Sequence, residues 1–198
     1  LLRGRLEINR FPLFKEGRNT LQRAFRYTIS IIIQFVKGIA EKDVDIIIVS
    51  STPPIIGIIG ALLHIIKKIP FVYVVQDIFP DSLVNTGLSH EGSFAWKIGR
   101  VIENFTYRNA TRIIVISESF KQNLLMKQVP EDKIEVIPNW INTKQVFAVP
   151  REKNKLFEKL SLDPNKFYIT YCGNIGHTQN LNLLLKVAKR LEPISDIM

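Results

Sequence analysis

A chain of 198 residues, with 46% hydrophobic and 23% charged side chains, can bury one packed domain and part of another, and is too apolar to remain disordered. Its single cysteine, Cys172, rules out an internal disulfide framework and suits a reducing cytoplasm. The formal charge of +9 is unevenly placed: residues 1–40 carry eight basic side chains against Glu7 and Glu16, a net of +6. Such an excess fits nucleic acid, an anionic membrane surface or phosphorylated ligands, or simply a solvated basic face. The three histidines, His64, His90 and His177, are scattered and show no metal-ligand spacing. The longest apolar runs, 28–36 and 55–66, fall short of the ~20 residues a membrane span requires.

In chain order, residues 6–11 read as a short extended stretch before Pro12. From Thr20 to Ala40, Leu21, Ala24, Phe25, Ile29, Ile32, Ile33 and Val36 recur at helical spacing, with Arg18, Arg23, Arg26 and Lys37 on the other side. Such a helix either covers a sheet or lies on an anionic bilayer. Residues 44–49 form a buried strand that lands in Ser50-Ser51-Thr52-Pro53-Pro54, and a helix follows over 55–67. Residues 71–75, all β-branched or aromatic, make a second strand that stops at Gln76-Asp77 ahead of Pro80.

Residues 93–109 are helical, with Trp96, Ile98, Gly99, Val101, Ile102 and Phe105 turned to the core. A strand over 112–116 runs into a helix capped by Ser117, and a strand over 133–137 closes at Pro138-Asn139-Trp140. Strands alternating with helices predict an α/β fold with a parallel, doubly wound sheet. Residues 142–150 lack an apolar period and read as a connection. Beyond them, a short helix carries Leu156, Phe157 and Leu160. A strand over 167–172, a glycine loop and a helix from Thr178 to Leu191 then open a second α/β domain. The expected organisation is a Rossmann-like domain over 1–141, a linker with its helix over 142–165, and the start of a second Rossmann-like domain over 166–198.

Ligands of open parallel sheets sit just beyond the carboxyl ends of the strands, and there this chain places Ser50, Thr52, Gln76, Asp77, Ser117 and Glu118. For Asp77 and Asp81 the alternative is that they only cap the helix beginning near Pro80. In Gly173-Asn174-Ile175-Gly176, glycines before a helix start let backbone N–H groups approach an anion. The loop lacks the third glycine of a dinucleotide fingerprint and the Lys-Ser/Thr of a P-loop. A plain tight turn is the alternative.

Taken together, the segments 49–54, 76–82, 114–120, 129–140 and 171–176 resemble, in order and spacing, family 4 glycosyltransferases of the GT-B fold. The nearest likeness is to the bacterial branch that builds surface polysaccharides, including transferases of N-acetylated aminosugars such as fucosamine. The resemblance implies retaining transfer from a nucleotide sugar, UDP-linked by expectation, between two Rossmann-like domains, the first on the acceptor side and the second on the donor side. It implies no cofactor and no metal: helix N-termini and basic side chains neutralise the leaving diphosphate. Acceptors in this branch are lipid-linked sugars at the inner face of the cytoplasmic membrane, which makes the basic N-terminal helix a peripheral membrane element.

Carried over residue by residue, Gln76 and Asp77 stand where many members place a histidine against the transferred sugar, so Asp77 positions an acceptor hydroxyl or the sugar. Ser50, Thr52, Asp81, Ser117, Glu118 and Asn139 contact substrate, and Gly173, Asn174 and Gly176 face the donor diphosphate. The chain departs from the family at Asn142, where an aspartate is usual, and at Gln179 and Asn180, where many members are basic. The donor-binding carboxylates are expected beyond Met198 and the first strand before Leu1, so the chain reads as a fragment that is not expected to catalyse transfer alone. Two other readings are a nucleotide-sugar 2-epimerase, which would need a cleft histidine that no strand end here supplies, and a non-catalytic basic module on a membrane. No nucleic-acid partner is expected, because the basic residues are not interleaved with exposed aromatics.

Overall fold

The computed structural model describes residues 6–15, 19–85, 87, 89–176 and 179–198. Glu16, Arg18, His177 and Thr178, named above, lie outside them. Four strands form one sheet: β1 (Ile47–Ser50), β2 (Phe71–Val75), β3 (Arg112–Val115) and β4 (Ile134–Val136). All neighbours are parallel and the order is β1-β2-β3-β4. Ser50 pairs with Val74, Val75 with Val115, and Val115 with Val136. The register therefore brings the carboxyl ends of all four strands to nearly the same level.

The helices are α1 (Thr20–Ala40), α2 (Gly57–Lys67), α3 (Asp81–Asn85), α4 (Phe94–Asn109), α5 (Glu118–Met126), α6 (Leu156–Lys159) and α7 (Leu181–Leu191), with a 3₁₀ turn over Pro54–Ile56 leading into α2. The parallel α/β class read from the sequence is what the structure shows. Alternation along β2 buries Phe71, Tyr73 and Val75, which join Ile113, Val115 and Ile134 on one face of the sheet. Ala61 of α2, Tyr107 of α4 and Leu124 of α5 pack on that same face. Three crossovers of one hand, each stepping to the next strand, place their helices in one layer rather than splitting them between two. On the other face Ile48 is 64% exposed.

Two expectations change at the level of faces. Instead of covering the sheet, α1 packs chiefly on α2, where a Leu63 methyl fills the space beside Gly38. In α4, Ile98 and Val101 are exposed while Gly99, Glu103, Thr106 and Tyr107 are buried. Gly99 and Phe105 turn to the core as expected, and the core side also takes polar residues because they are paired: Thr106 donates to the Ile102 carbonyl, and Glu103 meets Arg100, Tyr107 and Lys127.

The chain divides into two compact units, Leu1–Pro80 with Lys97–Ile137, and Asp81–Trp96 with Pro138–Met198. The second carries α3, α6 and α7. The strand expected over 167–172 is reduced to one parallel bridge, Phe167 to Ile197. Phe167 N–H donates to Asp196 O at 2.7 Å and Ile169 N–H to Met198 O at 2.9 Å. The Arg151 guanidinium lies 4.5 Å from the Phe157 ring centre and donates to Pro164 O at 2.7 Å, tying the start of this segment to the turn after α6.

Candidate functional site

The level strand ends of the first unit gather six of the singled-out residues on one rim. Ser50 is the last residue of β1 and Thr52 follows it; both are exposed. Gln76 and Asp77 come directly after β2, the first half-buried and the second exposed. Asp77 lies four residues before the first residue of α3. Burial, reinforced by Glu103 and then Asp77, pushes the Tyr73 phenol above its ordinary range.

Ser117 closes β3. Its backbone is extended (φ −159°, ψ 161°) and its hydroxyl accepts from Phe120 N–H at 3.4 Å, so it caps α5 as read from the sequence. Glu118, in the first turn, is exposed, where a carboxylate favours the positive end of the helix.

A groove of about 630 Å³ opens beside β1, at the free edge of the sheet. Ser50 and Thr52 line it together with Gln34, Lys37 and Glu41 from α1 and its end, and Ile56, Ile59 and Leu63 from α2 and the turn before it. It combines an apolar wall with a few polar groups, the usual make-up of a small-molecule site.

Asp81, Asn139, Gly173, Asn174 and Gly176 belong to the second unit. Asp81 opens α3, and Asn139 is exposed in extended chain after β4. In the glycine loop the Tyr171 hydroxyl donates to Asn174 O at 2.8 Å. A Cβ built on Gly173 would stand 2.7 Å from that same hydroxyl, the outer end of the exposed Tyr171 side chain, so a side chain here would displace the Tyr171 ring from this contact. At Gly176 the nearest atom is the end of the flexible Gln179 side chain. Among the described residues no group of three His, Cys, Asp or Glu side chains is placed to hold a metal ion.

Sequence reasoning missed Ser51. It passed over this serine in favour of its neighbours, but Ser51 is 1% exposed and its hydroxyl accepts from Gln76 N–H at 2.8 Å and Asp77 N–H at 3.0 Å. The signal was present: Ile47 and Val49 are the inward residues of β1, and the period of two carries their phase to Ser51.

A parallel α/β sheet with polar residues along its carboxyl rim, followed in sequence by a unit with a glycine loop, agrees with the GT-B fold that comparison with known proteins supports. The chain belongs to glycosyltransferase family 4, whose profile matches residues 3–145. It is 27% identical over 179 residues to WbjE of Pseudomonas aeruginosa, named as a glycosyltransferase; the match covers 89% of this chain and 42% of that one. To WcaI of Escherichia coli K12, named as a colanic acid biosynthesis glycosyl transferase, it is 28% identical over 125 residues, covering 61% of this chain and 31% of that one. Among solved structures it resembles Anabaena Alr3699/HepE in complex with UDP and glucose, with a TM-score of 0.53 and 16% identity, covering 92% of this chain and 53% of that one. That likeness shows the fold. The chain spans less than half the length of the curated relatives and about half of the solved one.

Proposed function

We propose that the protein supplies the acceptor side, and the beginning of the donor side, of a retaining glycosyltransferase. That enzyme moves a sugar from a UDP-linked donor to a lipid-linked or saccharide acceptor in surface-polysaccharide synthesis. The observation that carries the reading is the Gln76-Asp77 pair, set at the carboxyl end of β2 within the residues that match the family. Residues 1–141 act as the acceptor-side domain, 142–165 as the connection and 166–198 as the start of the donor domain. The complexes of HepE with UDP and with UDP-glucose support a uridine nucleotide sugar as donor.

In this reading Asp77 accepts a hydrogen bond from a hydroxyl of the acceptor or of the transferred sugar and fixes its angle of approach. Gln76 is its polar neighbour, and Ser50, Thr52, Asp81, Ser117, Glu118 and Asn139 supply further contacts to substrate. Backbone N–H groups of the loop Gly173, Asn174 and Gly176 meet the donor diphosphate, and neither a cofactor nor a metal ion is assigned to the reaction.

The protein works in the cytoplasm, peripherally on the inner face of the membrane. Support comes from α1, where Phe25, Tyr27, Ile32, Val36 and Ile39 are exposed on a helix that also carries Arg26 and Lys37. No helix among the described residues is long and apolar enough to cross a membrane.

The test combines the protein with a separately expressed C-terminal half of a full-length family member. Radiolabelled UDP-sugars and a membrane lipid extract are then added. Label passing into the lipid or saccharide fraction supports the reading. A complex that forms and binds UDP but transfers label to neither fraction overturns it.

A further inference from the structure

Asp77 is the exposed residue of a turn whose other members are held from both sides. Ile78 and Pro80 are buried, and Phe79 and Pro80 press against α4 where Gly99 leaves room for them; a Cβ there would stand 2.7 Å from the Phe79 ring. On the opposite side the turn meets a single buried oxygen, the Ser51 hydroxyl, which receives two consecutive peptide N–H groups, those of Gln76 and Asp77. Ser51 is itself fixed, since its own N–H donates to Val74 O at 2.8 Å and carries the β1–β2 ladder one step past the strand.

We propose that Ser51 is a positioning residue of the strand-end rim: by accepting both N–H groups it sets the direction in which the Gln76 and Asp77 side chains are presented to substrate. Two successive N–H groups converging on one acceptor constrain the peptide plane between them. Rotating that plane would swing Asp77 and draw its N–H away from the Ser51 oxygen. Ser51 does this from inside the fold. Its neighbours Ser50 and Thr52 face outward while it is buried, so it acts through the turn and does not touch substrate. The catalytic consequence rests on the transferase reading; the geometric one does not.

The experiment has two arms, both with Ser51→Ala and with Ser51→Thr, which keeps the acceptor oxygen. In the first, amide hydrogen exchange is followed residue by residue in the full chain. In Ser51→Ala the Gln76 and Asp77 amides should exchange at least about tenfold faster while those of Tyr73 and Val75 keep their wild-type rates, and Ser51→Thr should restore protection. Unchanged exchange at Gln76 and Asp77, or an equal acceleration throughout β2, overturns the proposal. In the second arm, sugar transfer by the complemented protein should lose kcat in Ser51→Ala with little change in donor KM, and regain it in Ser51→Thr. Wild-type kcat in Ser51→Ala refutes the positioning role while leaving the transferase reading intact. If the wild-type complex transfers no sugar, the transferase reading fails and the exchange arm decides the geometry by itself.

Discussion

Glu103 is a carboxylate in the core of the first unit. Arg100 Nη1 lies 2.5 Å from one of its oxygens; Lys127 Nζ at 2.7 Å and the Tyr107 hydroxyl at 3.0 Å reach the other. Burial pushes its pKa above the ordinary 4.5, and Lys127 and Arg100 only partly pull it back. The folded chain therefore holds this proton more tightly than the unfolded chain does. The group's contribution to stability is complete below the unfolded pKa and is lost as pH rises through the folded one. Glu103→Gln cannot titrate, so its Tm should gain on the wild type as pH is raised from about 4 to about 7. A difference in Tm that stays constant across that range contradicts this. The same residue shows a limit of sequence reading. Nothing in the local pattern marks Glu103 as inward, because Lys127 is brought to it from another helix, whereas the inward phase of Ser51 could have been counted along its own strand.

At the scale of elements, helix α2 is seated by two glycines. A Cβ on Gly57 would come within 2.6 Å of the Thr106 methyl and 2.9 Å of the Tyr73 ring, and one on Gly60 would run into the Phe71 ring. Gly60→Ala should therefore lower stability, against the usual helix-favouring effect of alanine, by about 1–3 kcal/mol in urea unfolding. Equal or greater stability would mean that α2 does not approach the sheet this closely. The strands were legible because each is a short unbroken run rich in β-branched or aromatic residues, and their parallel pairing followed from the alternation with helices, but the expected double winding did not: the order is simply β1-β2-β3-β4. Two further features were not legible. In α4, Ile98 and Val101 are exposed although Gly99 and Phe105 of the same apolar period face the core. Residues 167–172 read as a strand by composition, yet among the described residues they pair only through the bridge Phe167–Ile197 and its neighbouring hydrogen bonds.

At the scale of the whole molecule, the basic and apolar surfaces of α1 make a prediction about partners. With about 1 kcal/mol per basic residue near an anionic surface, the protein should sediment with vesicles containing phosphatidylglycerol. It should not do so with neutral vesicles, and raising the salt should release it. Capture by DNA without capture by vesicles would contradict the membrane assignment. Of the candidate site, the rim on the first unit was readable from strand ends alone, since a parallel sheet in simple order must bring those ends to one side. The anchoring beneath it was not, because it depends on register between strands far apart in sequence. The most direct test of the rim as a sugar-transfer site is turnover of the complemented protein carrying Asp77→Ala, with Tm measured alongside. The expected result is a fall of about a hundredfold in kcat with Tm unchanged. Wild-type turnover in that variant would contradict it.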